Sequence, residues 1–218
     1  MKQHLKYSIL IPFFLLLISN PFVHGQEVEN EFQSRTSIQI KYSPTKKIKL
    51  HLSPELRFAD SWILLKYHME TGASYKLYKI IEIEAAYRFV INPRMEKETD
   101  YYSRFFYGIS ARKKINRFAA SFRLSYSNYA DDDAEKSNYL RYKTLLRYNI
   151  PKSKITPVVA AEAFHKLSDN EFYKMRYTVG AEYKLFKKNY IGIRYKLDFF
   201  RAEYRNRHII SLDYKFKF

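Results

Sequence analysis

Residues 211–218 read Ser-Leu-Asp-Tyr-Lys-Phe-Lys-Phe. Leu212, Tyr214, Phe216 and Phe218 occupy every second position, with Ser211, Asp213, Lys215 and Lys217 between them. Successive side chains of a β-strand point to opposite faces, so this stretch makes a strand with one apolar, aromatic face and one polar, basic face. The same spacing on a helix would scatter both classes around the axis.

The alternation recurs through the chain. Phe118, Ala120, Phe122, Leu124 and Tyr126 oppose Ala119, Ser121, Arg123 and Ser125. Ile81, Ile83, Ala85, Tyr87, Phe89 and Ile91 oppose Glu82, Glu84, Ala86, Arg88 and Val90. Tyr173, Met175, Tyr177, Val179, Ala181 and Tyr183 oppose Lys174, Arg176, Thr178, Gly180, Glu182 and Lys184. Period two predicts eleven strands, over 32–42, 47–58, 62–77, 80–91, 101–112, 117–128, 138–149, 155–165, 172–185, 190–199 and 207–218. Most of these segments exceed the ~5–6 residues usual for a soluble strand. They match the ~9–11 residues that a tilted strand needs to cross a bilayer.

The connections alternate in kind. Short basic ones (Lys113-Lys114-Ile115-Asn116, Phe186-Lys187-Lys188-Asn189) take turns with longer acidic ones, such as 92–100 and 130–136. Short turns at one end and longer loops at the other are the pattern of an outer-membrane barrel, with the turns periplasmic and the loops extracellular. Tyr42, Phe58, Trp62, Tyr101, Tyr139, Tyr148, Tyr190 and Phe218 stand at segment ends, where aromatic girdles form. The predicted fold is therefore an all-β, transmembrane, antiparallel up-and-down barrel. Closure satisfies every backbone polar group without water. The competing architecture, a soluble sandwich edged by this last strand, does not account for the strand lengths.

The N-terminal residues add to this reading. Lys2 and Lys6 precede an apolar run, Tyr7 to Ile18, interrupted by Pro12, and Val23-His24-Gly25 supplies a cleavage site. This predicts a signal peptide over 1–25, cut after Gly25, and a barrel domain over 26–218. The apolar run is too short for a spanning helix. The chain has no Cys, which excludes disulfides, a lipid-modified leader and thiolate metal sites. Aromatics reach 18%, which excludes a disordered chain. The net charge is +17, and two of those charges are leader lysines. Export makes nucleic acid an improbable partner, so anionic lipid, lipopolysaccharide or an anionic solute is the expected counterpart of this charge.

Eleven strands pose a problem, because bacterial single-chain barrels have even counts. If Phe218 lies at the periplasmic end, segment 32–42 must run the same way as the last strand. Either residues 26–31 climb through the lumen or the count is off by one, which leaves about 10–12 strands open.

The stretches Asn149–Phe164 (NIPKSKITPVVAAEAF), Arg176–Leu185 (RYTVGAEYKL) and His208–Phe218 (HIISLDYKFKF) resemble the bacterial family catalogued as domain of unknown function 2490. The resemblance spans nearly the whole chain after the leader. It implies an outer-membrane barrel and brings neither an activity nor catalytic residues. Leu212, Tyr214, Phe216 and Phe218 also resemble the signal read by the bacterial outer-membrane assembly machinery.

Chemistry is then expected on the polar, inward face. Its basic residues include Arg88, Arg104, Arg123, Arg141, Lys143, Arg147, Lys174, Arg176, Arg194 and Lys196, and they outnumber the acids. Two readings follow. Salt-bridged side chains can fill a narrow barrel, or rings of Arg and Lys can select anions. The expectation is a monomeric barrel of Gram-negative type, acting as a narrow, porin-like channel or a solute-binding barrel with an anion-preferring lumen. A lipid-modifying enzyme of deacylase type and a purely structural barrel are the alternatives. The enzyme candidate is His51 with Ser53 and Glu55, all on one face. Neighbours at i and i+2 lie ~6.8 Å apart along a strand, too far for a nucleophile and its base without leaning together. His165 and His208 fall on the outward register near the loop end. No metal or cofactor motif is present. The acidic stretches 96–100 and 131–135 read as solvated loop charge, with divalent-cation binding as the sharper option.

Overall fold

The computed structural model describes residues 28–93, 98–129, 137–201 and 203–218. The leader expected over 1–25, residues 96–97 of the first acidic stretch and all of 131–135 lie outside them. Among the described residues, eleven strands form one closed barrel: β1 (Glu29–Tyr42), β2 (Ile48–Ala59), β3 (Leu64–Lys76), β4 (Ile81–Asn92), β5 (Asp100–Ile115), β6 (Phe118–Ser127), β7 (Tyr139–Tyr148), β8 (Ile155–Lys166), β9 (Glu171–Phe186), β10 (Asn189–Phe200) and β11 (Arg205–Lys217). Each strand pairs antiparallel with its chain neighbours. The predicted segments coincide with these strands to within three residues at every boundary.

The odd count is real, and the fold accommodates it at the closure. In an up-and-down ring with an odd number of strands, the first and last run the same way. β1 and β11 accordingly pair in parallel, from Glu29 opposite Arg205 to Lys41 opposite Lys217. Parallel ladders are slightly weaker per residue than antiparallel ones. Side chains reinforce this seam on both faces. Inside, Ser37 Oγ donates to Asp213 (2.7 Å) and Arg207 Nε donates to Glu31 (2.8 Å). Outside, Phe32 stacks on His208 with centroids 4.9 Å apart, and Tyr42 packs on Phe218 at 5.2 Å. At the seam's end, Phe218 N–H donates to Lys41 O (2.9 Å) and Ser43 N–H donates to Phe218 O (3.1 Å). β1 therefore begins at the loop end, without a further segment crossing the lumen among the described residues.

Turn chemistry supports the alternation of ends. The two-residue connections at Asn116-Arg117 and Lys187-Lys188 carry positive φ at Asn116 (52°) and Lys188 (74°), as tight hairpins require. One feature shifts the register. β8 and β9 slip between Phe164 and His165, pairing Phe164 with Lys174 and His165 with Phe172. Tyr173 is the extra residue of this bulge. The alternation places it on the outward face, but it packs against Tyr139 and Phe200 instead.

Outward positions expose Phe32, Ile38, Leu52, Met69, Phe89, Phe122, Val179, Ile193 and Leu212. Among the described residues, the buried side chains are largely polar or charged, among them Arg57, Lys174, Glu162 and Asp198. This inversion of a soluble protein's pattern is what a barrel with an apolar outer belt requires.

Candidate functional site

The inward face divides into two halves along the barrel. In the loop half the lumen is filled. Asp198, fully buried on β10, accepts from Arg176 Nε (2.5 Å), Arg176 Nη2 (2.6 Å) and Lys174 Nζ (3.2 Å) on β9. Glu162 on β8, also buried, accepts from Arg141 (2.8 and 3.0 Å) and Lys143 (3.0 Å) on β7. Aromatic rings seal these pairs. Lys174 lies 4.7 Å from the centre of Phe164 and 5.0 Å from that of Phe200, and Arg141 lies 4.6 Å from Phe164. On the opposite wall Arg104 sits between Tyr102 (4.3 Å) and Tyr129 (4.1 Å). Ion pairs removed from water persist only with such complete partnering.

The middle of the lumen holds two carboxylate centres. Glu70 accepts from Arg88 (2.7 and 3.0 Å), and His51 Nε2 lies 3.3 Å from its other oxygen. Gly72 stands directly opposite His51, and a side chain there would collide with the imidazole. Glu55 accepts from Arg57 Nε (2.6 Å), with His68 at 3.9 Å. His51, Ser53 and Glu55 share a face. His51 turns across the strand pair to Glu70, and Glu55 leans to Arg57, two residues along its own strand. Lys196 lies within electrostatic reach of Arg35 and Glu55.

The turn half is wetter and more basic. Lys41, Lys49, Arg112, Arg123, Arg147, Arg194, Lys215 and Lys217 face Glu82, Glu84, Glu182 and Asp213. Side-chain exposure here reaches 37% for Lys49 and 34% for Arg147, against 0% for Lys174 and 2% for Glu162 in the loop half. Glu182 is shared by three cations, Arg194 (2.5 Å), Lys215 (3.0 Å) and Arg147 (3.4 Å). Lys49 pairs with Glu82, and Arg194 also pairs with Asp213. Arg123 reaches Glu84 only at 3.7 Å. Among the described residues, the buried Nε atoms of Arg123 and Arg147 meet no hydrogen-bond acceptor. Lys41 and Lys217 stand side by side across the seam, a like-charge contact. Lys217 also lies over the inward-facing Tyr190 ring at 4.2 Å.

The ten basic residues singled out from the sequence stand on the inward register, divided among the filled half, the middle and the wet half. The terminal aromatics face outward, with Tyr214 Oη donating to Asn189 (2.5 Å). Sequence reasoning missed the inward aromatics Tyr139, Phe164 and Phe200, although each stands on the polar register, two residues from Arg141, Glu162 or Asp198. Tyr139, read as a girdle residue, is 1% exposed and belongs to the plug. His165 is half-buried, stacked on Phe172, with Nε2 3.1 Å from Asn170 Oδ1. At the end of β8, Lys166 donates to Asp169 (2.6 Å) in the following loop and holds its carboxyl below the usual range.

A family profile described as "Protein of unknown function (DUF2490)" matches residues 32–209, and the chain belongs to that family. No curated protein matches the chain. Among solved structures, a chain described as "KdgM porin" is similar over 76% of this chain and 89% of its own, at 15% identity and a TM-score of 0.46.

Proposed function

We propose that this member of the DUF2490 family is an exported outer-membrane barrel that binds an anionic solute in a vestibule open to the periplasm. The apolar outer belt and strands of 10 to 16 residues support insertion in a membrane. The short-turn end takes the periplasmic side by the usual rule for such barrels. The observation that carries the binding role is the charge imbalance of the wet half, where cations outnumber carboxylates. Lys41 and Lys217, side by side, repel each other, and an anion between them would relieve that repulsion. The filled loop half argues for a blind vestibule rather than a through-pore.

The test uses the refolded mature protein in detergent micelles, with inorganic pyrophosphate as probe anion in a calorimetric titration. Saturable binding is expected, weakened about tenfold or more in the Lys41→Ser, Lys217→Ser double variant. No binding, or equal binding by that variant, refutes the vestibule reading. Planar bilayers under a salt gradient test the plug. A silent membrane is expected, and discrete anion-selective steps would make the protein a channel instead.

A further inference from the structure

A second site lies on the outer wall, toward the turn end. Ala73 on β3 and Ala85 on β4 stand opposite each other on the outward register, beside the larger Tyr75, Ile83, Tyr107 and Ile109. The small pair leaves a groove of about 710 Å³ in the barrel's outer face. Ser74, Glu84 and Ser125 also border it, but they stand on the inward register, and Glu84 turns to Arg123 (3.7 Å). The groove therefore offers a ligand apolar side chains. Charge stands at its turn-end mouth. On β5 the outward register continues from Ile109 through Ala111 to Lys113, which is exposed. Among the described residues, no other outward strand position carries a Lys, Arg, Asp or Glu. The turns 43–47, 77–80 and 116–117 beside it lie wholly within the described residues. They add exposed Lys46, Lys47, Lys79 and Arg117 and no acid. None of these five cations takes part in an ion pair among the described residues.

We infer that this groove binds an anionic glycerophospholipid of the phosphatidylglycerol type, with an acyl chain in the hollow and the phosphate among Lys113 and the turn cations. Three features select that occupant. A lysine on a barrel's lipid face is tolerated near an interface, where its stem lies along apolar surface and its ammonium meets head groups. Tyr78, 71% exposed in the turn between β3 and β4, marks that interface as an aromatic girdle does. The charge is of one sign: an apolar groove below a cluster of cations without acids fits an amphiphile that is negatively charged at its head. Finally, the turn end is the periplasmic one by the usual rule. It faces the phospholipid leaflet and not the lipopolysaccharide leaflet, so the anionic amphiphile there is a phospholipid. The inference rests on the barrel lying in a membrane with its turns periplasmic, and it is independent of the lumen's role.

The refolded mature protein is released from micelles doped with dioleoyl phosphatidylglycerol or, at equal mole fraction, dioleoyl phosphatidylcholine, and retained lipid is counted by native mass spectrometry. A saturable adduct with the anionic lipid only is expected. Lys113→Gln is expected to raise the half-saturating mole fraction about fivefold, and Lys113→Arg to restore it, with the heat-sensitive gel shift of the folded barrel intact. Ala85→Phe fills the groove from the lipid-facing side and is expected to abolish the adduct. Lys187→Gln, in the turn between β9 and β10 across the ring, is expected to leave it unchanged. Equal retention of both lipids, stronger retention of purified lipid A, an unaffected Lys113→Gln or Ala85→Phe variant, or an equal loss in Lys187→Gln would each overturn the inference. Insertion into vesicles is scored separately by the gel shift. A barrel that does not insert refutes the membrane reading, whereas one that inserts and retains no phosphatidylglycerol refutes this inference alone.

Discussion

Replacing Asp198 by Ala tests whether the loop half of the lumen is dry. Asp198 is fully buried and faces Lys174, fully buried, and Arg176, whose side chain is 6% exposed. Breaking a buried pair by removing one partner costs about 3–5 kcal/mol, because a charge is left in low dielectric. Part of that is retained elsewhere. Lys174 keeps Phe164 and Phe200 at 4.7 and 5.0 Å, contacts worth about 0.5–2 kcal/mol. The expected loss is therefore about 2–4 kcal/mol. The comparison is Glu84→Ala in the wet half. Glu84 and Arg123 are 26% and 29% exposed and 3.7 Å apart, so the loss there stays below about 1 kcal/mol. Urea unfolding in lipid vesicles, followed by the heat-sensitive gel shift, measures both variants against the parent. If Asp198→Ala falls within about 1 kcal/mol of Glu84→Ala, water reaches the Asp198 centre and the plug is not a plug.

Gly72→Val drives a branched side chain into His51 and the backbone carbonyl of Ala85, and should cost about 1–3 kcal/mol as overpacking, read as a lower urea midpoint. Glu31→Ala removes the acceptor shared by Arg207 (2.8 Å) and Arg205 (3.3 Å), and should cost about 1.5–3 kcal/mol. Hydrogen exchange should then rise first in the β1 and β11 amides near the loop end, and a uniform rise would refute a local seam role. Phe164→Ala opens the centre of the plug and should cost about 3–5 kcal/mol. Ser53→Ala should leave both stability and lipid composition unchanged, since His51 engages Glu70 instead, and an altered lipid product on thin-layer analysis would restore the enzyme reading.

The fold was legible because one rule fixes it. Period two assigns every residue to a face, and aromatics on one face with charges on the other assign that face to lipid or lumen. That is why Arg141, Lys174 and Arg194 were identified as inward from sequence alone. Two things escaped the rule. A bulge resets the period without changing composition, so Tyr173 was read to the wrong side. Depth along the lumen depends on strand register around the ring, which alternation does not encode. Lys174 and Lys215 look alike in sequence, yet one is sealed between Phe164 and Phe200 and the other shares Glu182 in the wet half. The clue that was present and unread was the aromatic on the polar register: Phe164 and Phe200 each follow a carboxylate by two residues, and there the lumen is closed.

The odd strand count, an anomaly in the sequence, explains why part of the vestibule borders the seam. An even ring would close with an antiparallel pair, setting the start of the first strand beside the end of the last. Lys41 and Lys217 would then lie at opposite ends of the barrel, and so would Asn30 and His208. Parallel closure instead matches start with start and end with end. It brings two lysines together at the turn end. It also brings Asn30 beside His208 at the loop end, with His208 Nε2 3.2 Å from Asn30 Oδ1. Removing β1 would therefore do more than open the barrel. It would take Lys41 from the vestibule, so a chain lacking residues 26–42 should lose pyrophosphate binding. Retention of binding by a folded truncation would place that site off the seam.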